Sequence, residues 1–297
     1  MNTRNLRFRS NRVRDIATLY HEELDVLYGR GEVDAFLVML FEAFLGWDRV
    51  RLMTSREQTV DQSDLLRFHW ALEDLKRQRP IQHIIGYTDF CGCRIKVSPD
   101  VLIPRPETAE MVEEVIGKRV RVKSVLDLCT GSGCIAIALK RAFPEAEVTA
   151  VEVSEKALAI ARENAKANGT DITFLQADIL SSTSHLPLFT YHLIVSNPPY
   201  VRDSERAQMR RNVLDYDPAL ALFVPDDDPL RFYRAIAAIA KEHLAQDGML
   251  VLEINEALTT ETCALLKTAG FIPAVFQDFR GKDRWIAATS SLHGPVA

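Results

Sequence analysis

Val125-Leu-Asp-Leu-Cys-Thr-Gly-Ser-Gly133 decides the fold. A short apolar run enters a turn with two glycines, and a helical pattern from Ser132 to Ala142 follows. Gly131 and Gly133 permit a tight turn and let a ligand touch the backbone, while the helix start offers unpaired N–H groups to an anion. The alternation continues outward. We draw strands at Ser124–Asp127, Glu147–Val153, Asp171–Gln176, Tyr191–Ser196, Met249–Ile254, Phe271–Gln277 and Trp285–Thr289. Helices are expected at Ser154–Asn168, Pro229–Leu244 and Thr259–Ala269 as well as after the glycine turn. Short β-branched runs alternating with helices imply an α/β fold: a doubly wound parallel sheet covered on both faces. The last two strands have no helix between them, which allows an antiparallel hairpin at one edge.

The expected second strand ends in Glu152, 25 residues beyond Asp127, where a carboxylate can accept hydrogen bonds from both hydroxyls of a ribose. Asp178, just past the third strand, is placed to accept from an adenine amino group, and Ile179 to pack on the ring. Gly131-x-Gly133-x-x-Ala136 also fits a dinucleotide fingerprint, so the motif leaves S-adenosylmethionine and NAD both open. Asp127 favours the former, since a carboxylate beside the loop suits an ammonium group better than a pyrophosphate.

Asn197-Pro-Pro-Tyr200 follows the fourth expected strand, at the carboxyl end where such sheets bind ligands. Pro198 and Pro199 stiffen the turn. The Pro198 carbonyl and the Asn197 side-chain oxygen can accept both N–H bonds of a planar –NH2 group, and Tyr200 supplies an aromatic face. An amide nitrogen is a poor nucleophile because its lone pair is delocalised. Two fixed acceptors pull its hydrogens, pyramidalise it and aim the lone pair at an electrophile.

Taken together, these motifs resemble the amino methyltransferases that use S-adenosyl-L-methionine. Leu102-Ile-Pro-Arg-Pro-Glu-Thr108, Pro80-Ile-Gln-His-Ile-Ile-Gly86, Phe90, Leu214-Asp-Tyr-Asp-Pro-Ala-Leu-Ala221, Leu252-Glu-Ile-Asn255 and Gly281-Lys-Asp-Arg284 narrow the resemblance to the release-factor glutamine methyltransferases. It covers roughly residues 20–289. The resemblance implies an N-terminal helical bundle used in substrate recognition (1–79), a β-hairpin linker (80–105) and a Rossmann-like, seven-stranded methyltransferase domain (106–297). It implies methylation of the glutamine in the Gly-Gly-Gln motif of peptide-chain release factors. Cofactor positions carried over are Cys129, Thr130, Gly131, Ser132, Gly133, Glu152, Ile179 and Asn197, beside Asp127 and Asp178 from the direct reading. The substrate socket is Asn197, Pro198, Pro199 and Tyr200, with Asn197, Pro198 and Tyr200 carrying catalysis. Two positions depart from the family pattern: it often has glycine where Cys129 stands and an aromatic where Ile179 stands. Cys129 and Cys134-Ile-Ala-Ile137 also resemble the sister enzymes that methylate a glutamine of a large-subunit ribosomal protein; Pro106-Glu-Thr108 favours the release-factor group.

The remainder of the chain bounds these readings. In 297 residues, 36 Lys+Arg stand against 41 Asp+Glu, a net charge of −5, with 47% hydrophobic residues. That balance argues against general phosphate neutralisation, so no direct nucleic-acid binding is expected. Apolar residues at helical spacing from Ile16 to Leu75, within a segment 1–80 that holds 13 basic and 13 acidic residues, predict the bundle. The longest apolar run, from Ala35, meets Glu42 long before a membrane span is complete. Five arginines among residues 1–14 (Arg4, Arg7, Arg9, Arg12, Arg14) read as a solvated helical face or frayed end, because the acids that follow do not fit a secretory signal. The five scattered cysteines point to neither a disulfide framework nor zinc, and a reducing, cytoplasmic setting is expected without a metal. Cys91-Gly-Cys93 reads as a hairpin turn. His83, His192 and His243 read as packing or solvated side chains, and Asp203, Glu205, Asp215, Asp217 and Asp226–Asp228 as a solvated acidic rim.

Overall fold

A computed structural model describes residues 8–118, 122–181 and 189–290, which divide into two compact units, 1–86 and 87–297. In the first unit, helices α1 (Val13–Tyr28), α2 (Arg30–Leu45) and α4 (Gln62–Lys76) pack with the short α3 (Arg49–Thr54) and α5 (Ile81–Ile85). Each long helix turns one stripe inward, as the spacing demands: Ile16, Tyr20 and Leu24 from α1, Val33, Phe36, Leu37 and Leu40 from α2, Leu65, Phe68, Leu72 and Leu75 from α4. The Tyr20 hydroxyl, buried with its ring, donates to the Phe68 carbonyl at 2.6 Å. Of the N-terminal arginines, Arg4 and Arg7 lie outside the described residues. Arg9 meets Glu22 at 3.0 Å, and Arg12 and Arg14 both meet Glu57.

The second unit begins with the hairpin β1 (Tyr87–Phe90) and β2 (Cys93–Lys96), whose turn is Cys91-Gly92. The stretch 80–105, expected as a linker, is therefore shared: α5 falls in the first unit and the hairpin in the second. Phe90, Cys93, Ile95 and Val97 pack into the same core as Met111 and Val112 of α6 (Pro106–Gly117). This apolar burial explains why the hairpin joins the sheet's unit rather than standing as a spacer. All five cysteines are free thiols.

After α6 the elements run β3 (Ser124–Leu128), α7 (Cys134–Ala142), β4 (Glu147–Glu152), α8 (Glu155–Ala167), β5 (Thr173–Gln176) and β6 (Tyr191–Ser196). An excursion carries β7 (Val201–Arg202), α9 (Arg211–Leu214) and β8 (Phe223–Val224). Then come α10 (Arg231–His243), β9 (Leu244–Glu253), α11 (Thr259–Thr268), β10 (Phe271–Gln277) and β11 (Asp283–Ser290). The seven-stranded sheet has the order β10-β11-β9-β6-β3-β4-β5, parallel from β9 to β5, with β11 antiparallel to both its neighbours. Successive strand residues face opposite sides: Val125, Leu193 and Val251 join the core on one face, and Leu126, Ile194 and Leu250 the core on the other. This is the α/β architecture read from the alternation, with the antiparallel edge in place.

The excursion overturns part of the acidic-rim reading. Asp217 is buried; it pairs with the Arg105 guanidinium and accepts from the Ile103 N–H, tying the segment before α6 to the one before β8. Glu205 accepts from the Arg202 N–H at 2.8 Å and from Asn255 Nδ2 at 2.9 Å.

Asn164 fastens the hairpin to the glycine loop. From α8, its Oδ1 accepts from Lys96 N at 2.7 Å, and its Nδ2 donates to the carbonyls of Lys96 at 3.0 Å and Ser132 at 2.9 Å. Replacing it with alanine removes the side-chain partner of the Lys96 N–H and of two carbonyls, that of Ser132 buried. Asn164→Ala is expected to cost about 2–4 kcal/mol in urea unfolding, and a loss below about 1 kcal/mol would contradict this role.

Candidate functional site

Strand β3 is buried along its whole length, so the chain leaves it at a fixed height and must turn within a few residues to start α7. Three pairings shape the turn: Thr130 N donates to Val151 O at 3.0 Å, Gly131 N to Glu152 Oε2 at 3.0 Å, and Gly133 N to Thr130 O at 2.9 Å. Gly133 has φ +81°, and a Cβ there would sit 3.1 Å from the Ala161 Cβ of α8. Both the backbone angle and the helix contact therefore require glycine. Cys129 holds φ +61° without being glycine, which gives the family's frequent glycine at this position a physical reason.

Asp127 stands behind the loop, not on the wall of the cavity beneath it. Its Oδ2 accepts from Thr130 Oγ1 and from Ala136 N at 3.2 Å, and its Oδ1 is buried without a hydrogen-bond partner among the described residues. The expectation that Asp127 faces an ammonium group is thereby corrected in geometry: the carboxylate holds the loop's hydroxyl and the start of α7. Complete burial pushes its pKa from 3.8 up to about 7, against the lowering effect of those two donors.

A cavity of about 200 Å³ opens where the loop meets the ends of β4 and β6. Cys129, Thr130, Gly131, Ser132, Glu152, Asp178, Asn197 and Pro199 line it, as the sequence leads one to expect. Glu152 also accepts from the N–H groups of Val153 and Ser154 at 2.9 and 3.0 Å, so three backbone donors fix its carboxylate at the rim. Asp178 accepts from Leu180 N and Ser181 Oγ. Ile179, expected to pack on a ring, is instead buried in the core beneath, and its neighbour Leu180 lines the cavity. Gly133 contributes closeness of packing rather than wall.

A second, smaller cavity of about 50 Å³ is lined by Leu102, Arg105, Asn197, Tyr200, Val201, Ala221, Leu222 and Glu253. Asn197 lines both cavities. Pro198 is buried between its neighbours and lines neither cavity.

Behind Asn197 lies a network that residue spacing did not reveal. Asn197 Nδ2 donates to Thr108 Oγ1 at 3.1 Å, Thr108 Oγ1 donates to Glu253 Oε2 at 2.6 Å, and the Tyr200 hydroxyl donates to Glu253 Oε1 at 2.9 Å. Burial raises the pKa of Glu253, opposed by these two hydroxyls and by the Arg284 guanidinium. Burial and the Glu253 charge push the Tyr200 phenol well above its ordinary value. Asn255 Nδ2 fixes the Tyr200 carbonyl at 3.1 Å. Thr108, Glu253 and Asn255 all sit in stretches that carry the resemblance to a family; a buried acid ending a strand was the signal available.

Since the folded chain binds the Asp127 proton more tightly than the unfolded chain does, stability is greatest at low pH on this account. It falls as pH rises from about 4 to about 7, then levels off. Asp127→Asn, which cannot ionise, is expected to remove that component from melting curves recorded between pH 5 and pH 8. An unchanged slope would show that the titrating group lies elsewhere.

Comparison with known proteins places this site in a family. Residues 108–215 match the Methyltransferase small domain, and residues 28–86 match the PrmC N-terminal domain. The Release factor glutamine methyltransferase of Flavobacterium psychrophilum is 41% identical over 280 residues, covering 92% of this chain and 98% of that protein. Its counterpart in Bacteroides thetaiotaomicron is 39% identical, again covering 92% and 98%. Among solved structures, the hMettl16 catalytic domain in complex with MAT2A 3'UTR hairpin 1 superposes with a TM-score of 0.55 at 17% identity, covering 87% of this chain and 91% of that one, a likeness of fold alone. Within the described residues no helix is long and apolar enough to cross a membrane. With its two cavities meeting at Asn197 and its near-full-length match to these relatives, the chain belongs to the release factor glutamine methyltransferase family.

Proposed function

We propose that this chain transfers a methyl group from S-adenosyl-L-methionine to the side-chain amide of the glutamine in the Gly-Gly-Gln motif of peptide-chain release factors. The observation that carries the proposal is the position of Asn197, which, with Leu102, Arg105 and Ala221, lines both the larger cavity under the glycine loop and the smaller one beside Tyr200. A donor in the first and an amide in the second would meet there.

The larger cavity suits S-adenosylmethionine. Its wall combines Gly131 and Ser132 of the glycine loop, a carboxylate at Glu152 for a ribose, a carboxylate at Asp178 for an amino group, and the apolar Leu180. When bound, the cofactor supplies an electrophilic methyl carbon on a sulfonium. The chain's own residues handle the acceptor. Asn197 Oδ1 and the Pro198 carbonyl accept the two amide hydrogens, Tyr200 packs against the amide plane, and the rigid Pro198-Pro199 turn keeps both acceptors in place. The methylated amide loses its extra proton to water, so no general base is assigned. The N-terminal helical bundle is proposed to contribute recognition of the release factor. The names of the relatives favour a release factor over a ribosomal protein as the acceptor.

The test is transfer of tritium from labelled S-adenosylmethionine to purified release factor. Label is expected on the wild-type factor and not on one with alanine for the glutamine of its Gly-Gly-Gln motif; equal labelling would overturn the assignment. Asn197→Ala is expected to lower kcat by about 10²-fold or more while leaving the fold intact, and near-normal turnover would refute its role.

A further inference from the structure

We propose that Thr108 and Glu253 are positioning residues that set the polarity of Asn197, and thereby make the socket an acceptor for a primary amide; the inference rests on the function proposed above. Glu253 is 1% exposed, and each of its carboxylate oxygens takes a hydroxyl hydrogen, one from Thr108 and one from Tyr200. An ionised carboxylate only accepts, so the single hydrogen of Thr108 is committed to Glu253. Toward Asn197 the threonine then offers lone pairs alone. The amide of Asn197 must present its Nδ2 to Thr108, at 3.1 Å, and its oxygen is left for a ligand.

The two ends of an asparagine amide have nearly the same shape, so packing alone fixes its orientation poorly, and hydrogen-bond partners decide it. With Oδ1 facing the ligand, the site offers two acceptors, Asn197 Oδ1 and the Pro198 carbonyl, to the two hydrogens of an –NH2 group. With the amide turned over, a donor would meet those hydrogens. A glutamine nitrogen would then be repelled where it must be held, and the site would suit a carbonyl or carboxylate oxygen instead. The chain that runs Asn197 to Thr108 to Glu253 therefore carries specificity for the carboxamide from a buried charge whose two oxygens are each engaged by a hydroxyl. Its members come from β6's end, the start of α6 and the end of β9, elements distant in sequence that the fold brings together.

The experiment compares wild type with Thr108→Val, Thr108→Ala and Thr108→Ser, using S-adenosylmethionine and purified release factor. Valine keeps the shape and removes the hydroxyl; alanine removes it without crowding the site; serine restores it. Both hydroxyl-free variants are expected to lose about 10²-fold in kcat with little change in KM for the release factor, as for a misoriented reacting group. Thr108→Ser is expected to recover kcat to within about threefold. Turnover within threefold of wild type in Thr108→Val or Thr108→Ala would overturn the inference, as would a serine variant no better than alanine. Failure of the wild-type chain to label release factor would instead overturn the proposed function.

Discussion

The parallel pairing of β3 with β6 is the constraint from which the site follows. Leu128 lies opposite Ser196, so the two strands end level with one another, and Cys129 and Asn197 leave the sheet side by side. Ser196 Oγ donates to the Leu128 carbonyl at 2.6 Å, closing the seam at its last position. A one-residue slip would turn every side chain of β6 to the opposite face and exchange the residues of the two cores. Because each strand is fully buried near this end, the register is held by the packing of both helical layers rather than by the seam alone.

Two loops of opposite character grow from that seam. The Cys129–Gly133 turn reaches its shape through positive φ angles and through pairing of its own N–H groups. The Asn197–Tyr200 turn is stiffened by two prolines and tied from behind by Thr108, Glu253 and Asn255. Leaving Glu253 and Asp127 ionised in the interior costs free energy, as their raised pKa values record, and hydrogen bonds offset only part of it. Asp127 stands behind the first of these loops and Glu253 behind the second. Buried charge here orients neighbours, and the apolar cores on either face of the sheet supply the stability that tolerates it.

Strand and helix order was legible because period and punctuation agreed: the drawn strands at Tyr191–Ser196 and Phe271–Gln277 match the structure to the residue. That the glycine loop, Glu152, Asp178 and Asn197 lie together along one cavity was legible too, since each stands at or just past a strand end. Ile179 and Leu180 were confused because no helix or strand period fixes which of two adjacent loop residues turns inward. Asp217 read as a solvated acid because its partner, Arg105, stands 112 residues away and only the fold unites them. The same holds for Thr108 and Glu253, separated by 145 residues. Leu27 fits the apolar spacing of α1 yet is 45% exposed, being one turn position beyond the stripe that the bundle covers.

The central claim is that one rigid turn holds a carboxamide by both hydrogens against a methyl donor in the adjoining cavity. A crystal structure of this chain with S-adenosylhomocysteine and a peptide containing Gly-Gly-Gln tests it most directly. The glutamine nitrogen is expected within hydrogen-bond distance of both Asn197 Oδ1 and the Pro198 carbonyl, with the cofactor sulfur facing it across the seam. A glutamine bound through its carbonyl oxygen, or lying away from Asn197, would contradict the account.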